Sequence, residues 1–294
     1  MSTQRLMTLC ALAVTLSLAA GARANYVSPY TADANTVVLY HLDETAGATT
    51  AVDASGNGFD LTASTSPFDG GASANGLSTA PTFGKVDGGK QLRRTMTAPD
   101  LANFDTTSFT IEAWAKNPDL TSIGDHNGIL AYRGSTGRFQ FSVFGANTGA
   151  NAGKLNFNYN RDDTGAYYGT IQSNGLTWET DKWYHVVVTY DSNTAAANDS
   201  IVTFYRNSID DVSGIPQMVG QLTGQPDIEP LDAGSTLNLG GFETNNQRNF
   251  AGYLDEVRWS NGVLTSFNLA IPTPAALPAG LMMMGLIGLR RRCR

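Results

Sequence analysis

Short apolar runs, broken by clusters of Gly, Asn, Asp and Ser, recur along the middle of the chain. No stretch there sustains a helical period for three turns. The runs at 36–42 (TVVLYHL), 108–115 (SFTIEAWA), 128–132, 138–144, 154–159, 183–190 (WYHVVVTY), 201–206, 236–239 and 252–259 predict strands. A chain built from such segments closes a core by packing sheet on sheet. The expected fold is therefore all-β, a two-sheet antiparallel sandwich, rather than α/β. Residues 62–89, rich in Ser, Thr and Gly, predict a long decorated loop. Residues 192–200 predict a hairpin connection.

Composition narrows the function classes. Only 15% of residues are charged and 41% are hydrophobic, which excludes global disorder. The charges are unevenly placed. Residues 25–271 hold 13 basic side chains against all 26 acidic ones, a net of −13. A nucleic-acid role needs a basic surface, so none is expected. The same charge predicts a domain that does not stick to anionic polymers and is receptive to cations.

The two ends read as processing segments. An apolar run from Leu6 to Ala20 ends in Ala22-Arg23-Ala24, the pattern of a secretory signal peptide, with residues 1–24 removed before Asn25. Residues 271–294 begin Ile271-Pro272-Thr273-Pro274, continue in an apolar stretch to Leu289, and end in a cluster with Arg290, Arg291, Arg292 and Arg294. Fifteen apolar residues span about 22 Å as a helix, short for a bilayer crossing. This layout resembles the PEP-CTERM sorting signal of Gram-negative bacteria, although Thr273 stands where that signal usually has Glu. The resemblance implies an exosortase-type sorting enzyme as partner, transient inner-membrane contact, and deposition at the cell surface or in the extracellular matrix. The cysteines, Cys10 and Cys293, both lie in these end segments. The 25–270 domain thus has neither a disulfide nor a thiol nucleophile.

Within that domain, motifs follow one another in a recognisable order. Leu39-Tyr40-His41-Leu42-Asp43-Glu44 precedes Asp53-Ala54-Ser55-Gly56-Asn57-Gly58. Then come Phe109-Thr110-Ile111-Glu112-Ala113-Trp114, Trp183-Tyr184-His185-Val186-Val187-Val188-Thr189-Tyr190-Asp191 and Gly252-Tyr253-Leu254-Asp255-Glu256-Val257-Arg258-Trp259. Together they resemble the LamG-like jelly roll of the concanavalin A-like lectin/glucanase superfamily, over about residues 30–268.

Asp53-x-Ser55-Gly56-Asn57-Gly58 is dense in oxygen donors and in turn formers. It suits either a hard cation or a capped turn. Strand alternation through 252–259 puts Asp255 on the more apolar face, where a carboxylate needs a partner or a metal. The resemblance implies that this turn and the last strand meet, often around calcium. A structural Ca2+ held by Asp53, Asn57 and Asp255 is the expectation.

No catalytic residue is assigned. Glycoside hydrolysis needs two carboxylates flanking the bond. The Glu-x-Asp-x-x-Glu strand of related glucanases is absent, and Glu112 reads as a solvated strand residue. Residues 156–168 are rich in Asn, Tyr, Arg and Asp. They offer Tyr159, Arg161, Asp163, Tyr167 and Tyr168, with Trp178 nearby, as a candidate ligand surface. The reading that follows is an exported, non-catalytic carbohydrate-binding or adhesion module whose partner is a polysaccharide or another surface component. A glycoside hydrolase or polysaccharide lyase on the same scaffold, or a purely structural matrix protein, are the alternatives.

Overall fold

The computed structural model describes residues 25–26, 28–74, 79–84, 90–116, 118, 120, 126–134, 137–192, 196–211, 213, 215–242, 248–267, 269 and 271–272. Residues 1–24 and 273–294, where the export and sorting signals are expected, lie outside the described residues. The chain begins with β1 (Asn25–Tyr26), β2 (Thr36–Tyr40), β3 (Thr50–Ala51), β4 (Leu61–Thr62), β5 (Gly71–Ala72), β6 (Thr79–Ala80), β7 (Thr82–Phe83) and β8 (Leu92–Thr95). A single helical turn, α1 (Ala98–Leu101), is capped by Thr97. It is followed by β9 (Ser108–Lys116), β10 (His126–Arg133), β11 (Arg138–Phe144), β12 (Leu155–Asn160) and β13 (Tyr167–Gln172). The rest are β14 (Trp183–Asp191), β15 (Ser200–Ser208), β16 (Met218–Gln225), β17 (Thr236–Leu239), β18 (Gly252–Asn261) and β19 (Ile271–Pro272).

These strands form the two expected antiparallel sheets. The front sheet runs β13-β12-β11-β10-β17-β8-β4-β3, and the back sheet runs β16-β15-β14-β9-β18-β2. Alternation fills the space between them. Phe139, Phe141 and Val143 of β11, Phe157 of β12, Ile111 and Phe109 of β9, Val186 and Val188 of β14 and Trp259 of β18 share one core. At its centre Phe109 stacks on Trp259 with ring centroids 4.3 Å apart, and on Tyr190 at 5.1 Å. Stripping water from each such ring stabilises the fold by about 2–3 kcal/mol.

The outer face of the back sheet is covered too. Tyr30, Ala74 and Ala80 pack with Trp114 and Trp183 as a second apolar cluster. Tyr30 lies on the N-terminal segment and the alanines in the 71–80 region. Phe267 packs on His185 and Tyr205 there, and β1 pairs with β19 through Asn25–Pro272 and Tyr26–Ile271. The residues 62–89 expected as loop thus contain the short β5, β6 and β7, and part of that region roofs the back sheet.

One alternation differs from expectation. The register of β18 against β9 shifts between Asp255 and Arg258, and Glu256 takes φ +49°. This bulge resets the faces: Leu254, Val257 and Trp259 enter the core. Asp255 is fully buried, but under the 71–80 region, where Ala74 N–H donates to its Oδ2 at 2.7 Å. Its backbone neighbour Glu256 accepts Tyr30 N–H at 2.9 Å and faces His41 Nδ1 at 3.0 Å.

That corner has a pH consequence. The hydrogen bond to Glu256 raises the His41 pKa above its ordinary 6.5, against the lowering effect of burial. Burial pushes the Asp255 carboxyl far above its ordinary range. Both shifts favour the protonated form in the folded state. Their stabilisation is complete below the unfolded value and is lost as pH rises through the folded one. The melting temperature is therefore expected to be higher at pH 6 than at pH 8, with the difference reduced in His41→Gln. A wild-type curve that rises across this interval would contradict the assignment.

Candidate functional site

The outward side chains of the front sheet fall into rows that cross the strands, because cross-strand partners share a face. In the first row Thr95 pairs with Thr236, Thr236 with Arg133, and Arg133 with Arg138. Arg138 Nε donates to Asn160 Oδ1 at 2.8 Å, and its guanidinium lies 4.5 Å from the ring centre of Tyr167. The second row is Thr62, Arg93, Asn238, Ala131, Gln140 and Asn158. A third begins with Ser142 and Asn156, joined by a 2.9 Å bond from Asn156 Nδ2 to Ser142 Oγ.

The second and third rows are buried at Gln140, Ser142, Asn156 and Asn158. Both amide atoms of Gln140, and Oδ1 of Asn156 and of Asn158, have no hydrogen-bond partner among the described residues. An unsatisfied buried polar group costs about 1–3 kcal/mol, so these atoms carry a cost that an apolar layer would not. At the β4–β8 end of the same sheet a cavity of about 690 Å³ is lined by Asp60, Thr62, Arg93, Arg94, Thr95 and Thr236, among others.

The residues expected from sequence to bind a ligand scatter around this face. Tyr159 is a correction: it is 0% exposed, its hydroxyl donates to Pro226 O, and it offers no surface to a ligand. The cause is period-two alternation, which sends Phe157 and Tyr159 inward and Asn156, Asn158 and Asn160 outward. Tyr168 pairs opposite Tyr159, packs on it at 5.4 Å and donates to Gln225 Oε1. Trp178 donates to Gly153 O and packs edge-on against Tyr184. Arg161 and Asp163 bind each other through two hydrogen bonds. Tyr167, 42% exposed, lies on the face. Arg93, Arg138, Gln140 and Asn238 were not singled out from sequence. Their signal was the polar half of alternating segments such as RFQFSVF.

The expected calcium ligands do not gather either. Asp53 Oδ1 accepts the Leu39 and Ser55 amides, and Oδ2 accepts Ser55 Oγ and the Phe59 amide, at 2.8–3.0 Å. Four donors fill the carboxylate's acceptor capacity. Asn57 Nδ2 donates to the Thr36 and Val37 carbonyls. Asp255 is held elsewhere, by the Ala74 and Glu256 amides. Among the described residues no group of three or more His, Cys, Asp or Glu side chains is arranged to hold a metal. Asp53, Asn57 and Asp255 therefore do not fit a shared ion. The arrangement is that of a capped turn and a separately hydrogen-bonded carboxylate.

Glu112 is likewise not the solvated residue expected. It is 0% exposed on the outer side of the back sheet. It accepts His185 Nε2 at 2.8 Å and Arg258 Nε at 2.8 Å, with a further bond from Arg258 Nη2. Burial would raise its pKa, but the His185 and Arg258 bonds and charges outweigh it and hold the carboxyl below its ordinary value. The Tyr30 ring, 4.9 Å from the Arg258 guanidinium, closes the cluster. A carboxylate so enclosed has no face to present to a glycosidic bond.

Comparison with known proteins bears on this arrangement. The laminin G-type family model described as "Concanavalin A-like lectin/glucanases superfamily" matches residues 87–270. No curated protein matches the chain. Among solved structures, domain 4 of AbnA, an extracellular arabinanase from Geobacillus stearothermophilus solved with arabinotriose, is similar at 16% identity and TM-score 0.50. The match covers 79% of this chain and 94% of that one. A botulinum neurotoxin type C structure, whose cell entry depends on two ganglioside molecules, is similar at 12% identity and TM-score 0.51, covering 78% and 48%. The binding domain of botulinum neurotoxin DC, solved with rat synaptotagmin II, gives 12% identity and TM-score 0.51, covering 78% and 49%. At these identities the likeness is one of fold.

Proposed function

The chain belongs to the concanavalin A-like lectin/glucanases superfamily, and from that premise we propose that it is an exported, non-catalytic carbohydrate-binding module of the cell surface or extracellular matrix. The observation that carries the reading is the front-sheet face. Its partly exposed Arg93 and Arg138 and half-exposed Tyr167 line a rigid sheet beside a cavity. Guanidinium groups donate paired hydrogen bonds to sugar oxygens, and an exposed ring offers a sugar an apolar face. The same fold holds arabinotriose in the arabinanase domain, which supports the class of ligand. The enclosure of Glu112 supports the non-catalytic part.

The test is a panel of insoluble and soluble glycans incubated with the protein. Retention on at least one glycan, with no reducing sugar or unsaturated product released, is the expected result. Product formation would replace this reading by an enzymatic one.

Export belongs to the same proposal. Residues 1–24 act as a signal peptide, and the tail from 271 acts as a sorting segment read by an exosortase-type membrane enzyme, with transient membrane contact. Terminal sequencing of exported protein is expected to begin at Asn25. Exported material that retains Met1 would refute the cleavage.

A further inference from the structure

Resting on that reading, we infer that the ligand is an anionic polysaccharide, one bearing carboxylate or sulfate groups, bound along the arginine rows of the front sheet.

The first observation is charge. The 25–271 segment carries a net of −13, yet the outward strand positions of the front sheet hold Arg93, Arg133 and Arg138 and, among the described residues, no Asp or Glu. Arg93 and Arg138 form no ion pair among the described residues. Asp60, at the cavity wall, accepts the Asp53 amide at 2.8 Å.

The second observation is register. Arg133 and Arg138 stand directly opposite each other on β10 and β11. Like charges in that relation destabilise a sheet. Here the two guanidinium groups lie over different rings, that of Arg133 5.7 Å from Phe242 and that of Arg138 4.5 Å from Tyr167, which spaces the positive charge along the row.

The third is reach. From β8, which carries Arg93, to β13, which carries Tyr167, are five strand spacings, about 24 Å. That is a track for an extended chain rather than a pocket for one small ion. The Arg93 cavity lies at one end and the Arg138–Tyr167 stack at the other.

The overall acidity predicted no affinity for anionic polymers. It does not govern this face. At physiological ionic strength charges more than about 8 Å apart are largely screened, so an approaching polymer feels the arginines beside it before the carboxylates of distant loops. The acidity then serves discrimination: a polyanion that strays from the rows meets repulsion.

The experiment measures binding of the intact protein to polygalacturonate, dextran sulfate, neutral dextran, neutral arabinan and single-stranded DNA. Polygalacturonate or dextran sulfate is expected to bind at least about tenfold more tightly than either neutral glycan and than DNA. Which of the two prevails assigns carboxylate or sulfate. Arg93→Gln and Arg138→Gln, each with an unchanged melting temperature, are expected to weaken that binding about tenfold, as loss of one charge-assisted bond implies. Raising NaCl from low to high concentration should weaken it as well. Three results overturn the inference: equal binding of neutral glycans, arginine variants that bind like wild type, or DNA bound as tightly as the anionic glycans. Neutral glycan binding that ignores both substitutions would sink the anionic class alone and leave a carbohydrate module standing. Failure to bind any glycan on a wider panel would sink both.

Discussion

Glu112→Ala is expected to lower the melting temperature by about 10 °C. The carboxylate is the common partner of His185 and Arg258 in a site that all three share without solvent. Removing one member of a buried ion cluster leaves the others desolvated and unpaired, at about 3–5 kcal/mol. For a domain near this size each kcal/mol shifts the midpoint by roughly 2–4 °C. The cluster is stabilising as a whole only relative to its broken forms. Replacing Glu112, His185 and Arg258 together with apolar residues of similar volume is expected to recover much of the loss. A Glu112→Ala midpoint within about 2 °C of wild type would mean that water or a neighbouring group reaches the cluster.

The second large effect is at Asp53. Its carboxylate satisfies the backbone amides of Leu39 and Phe59, both in buried residues, as well as Ser55 through two groups. Asp53→Ala orphans these donors. At about 1–3 kcal/mol for each buried one, the loss is near 4 kcal/mol, or about 10 °C. Asp53→Asn, which keeps one full acceptor, is expected to fall between. The melts are to be run with added calcium and with excess chelator. The capped-turn assignment expects identical curves in both for wild type and variant. A wild-type midpoint that drops by several degrees on chelation, together with metal found in the purified protein, would show that Asp53 holds an ion after all.

These two residues also mark where reading the sequence succeeds and fails. Strong periodic segments announced themselves: the runs at 138–144 and 236–239 are strands with those bounds, and 108–115 and 183–190 fall short by one residue. Alternating aromatic and β-branched residues have no other way to bury one face. β16 went unseen because MVGQLTGQ is a largely exposed edge strand, stabilised by its ladder to β15 rather than by side-chain burial. The DxSGNG turn was legible as a turn with two uses, and only the donors around Asp53 separated them. Asp255 was misplaced because a bulge with one residue at positive φ shifts every later face assignment, and Glu256 carries no local signal for that conformation. Glu112 was misread because its burial depends on Tyr30 and on partners 73 and 146 residues away. The tyrosines of 156–168 lie close together in sequence, but their placement depends on parity: Tyr167 faces outward, Tyr159 and Tyr168 do not.

The pairing of Asn25 with Pro272 gives the molecule a direction. The polypeptide enters and leaves the described domain side by side, in the company of the segments that cover the back sheet. On the proposed sorting route, anything that held the protein through the segments before 25 or after 272 would hold it at one corner and from behind. The front sheet then looks outward like the pan of a scoop on a short handle. Tyr30 and Phe267, which flank the two junctions, both pack on the back sheet, so loss or retention of an end segment would not need to disturb the front sheet. On the proposed reading, attachment and capture would use opposite faces of the sandwich.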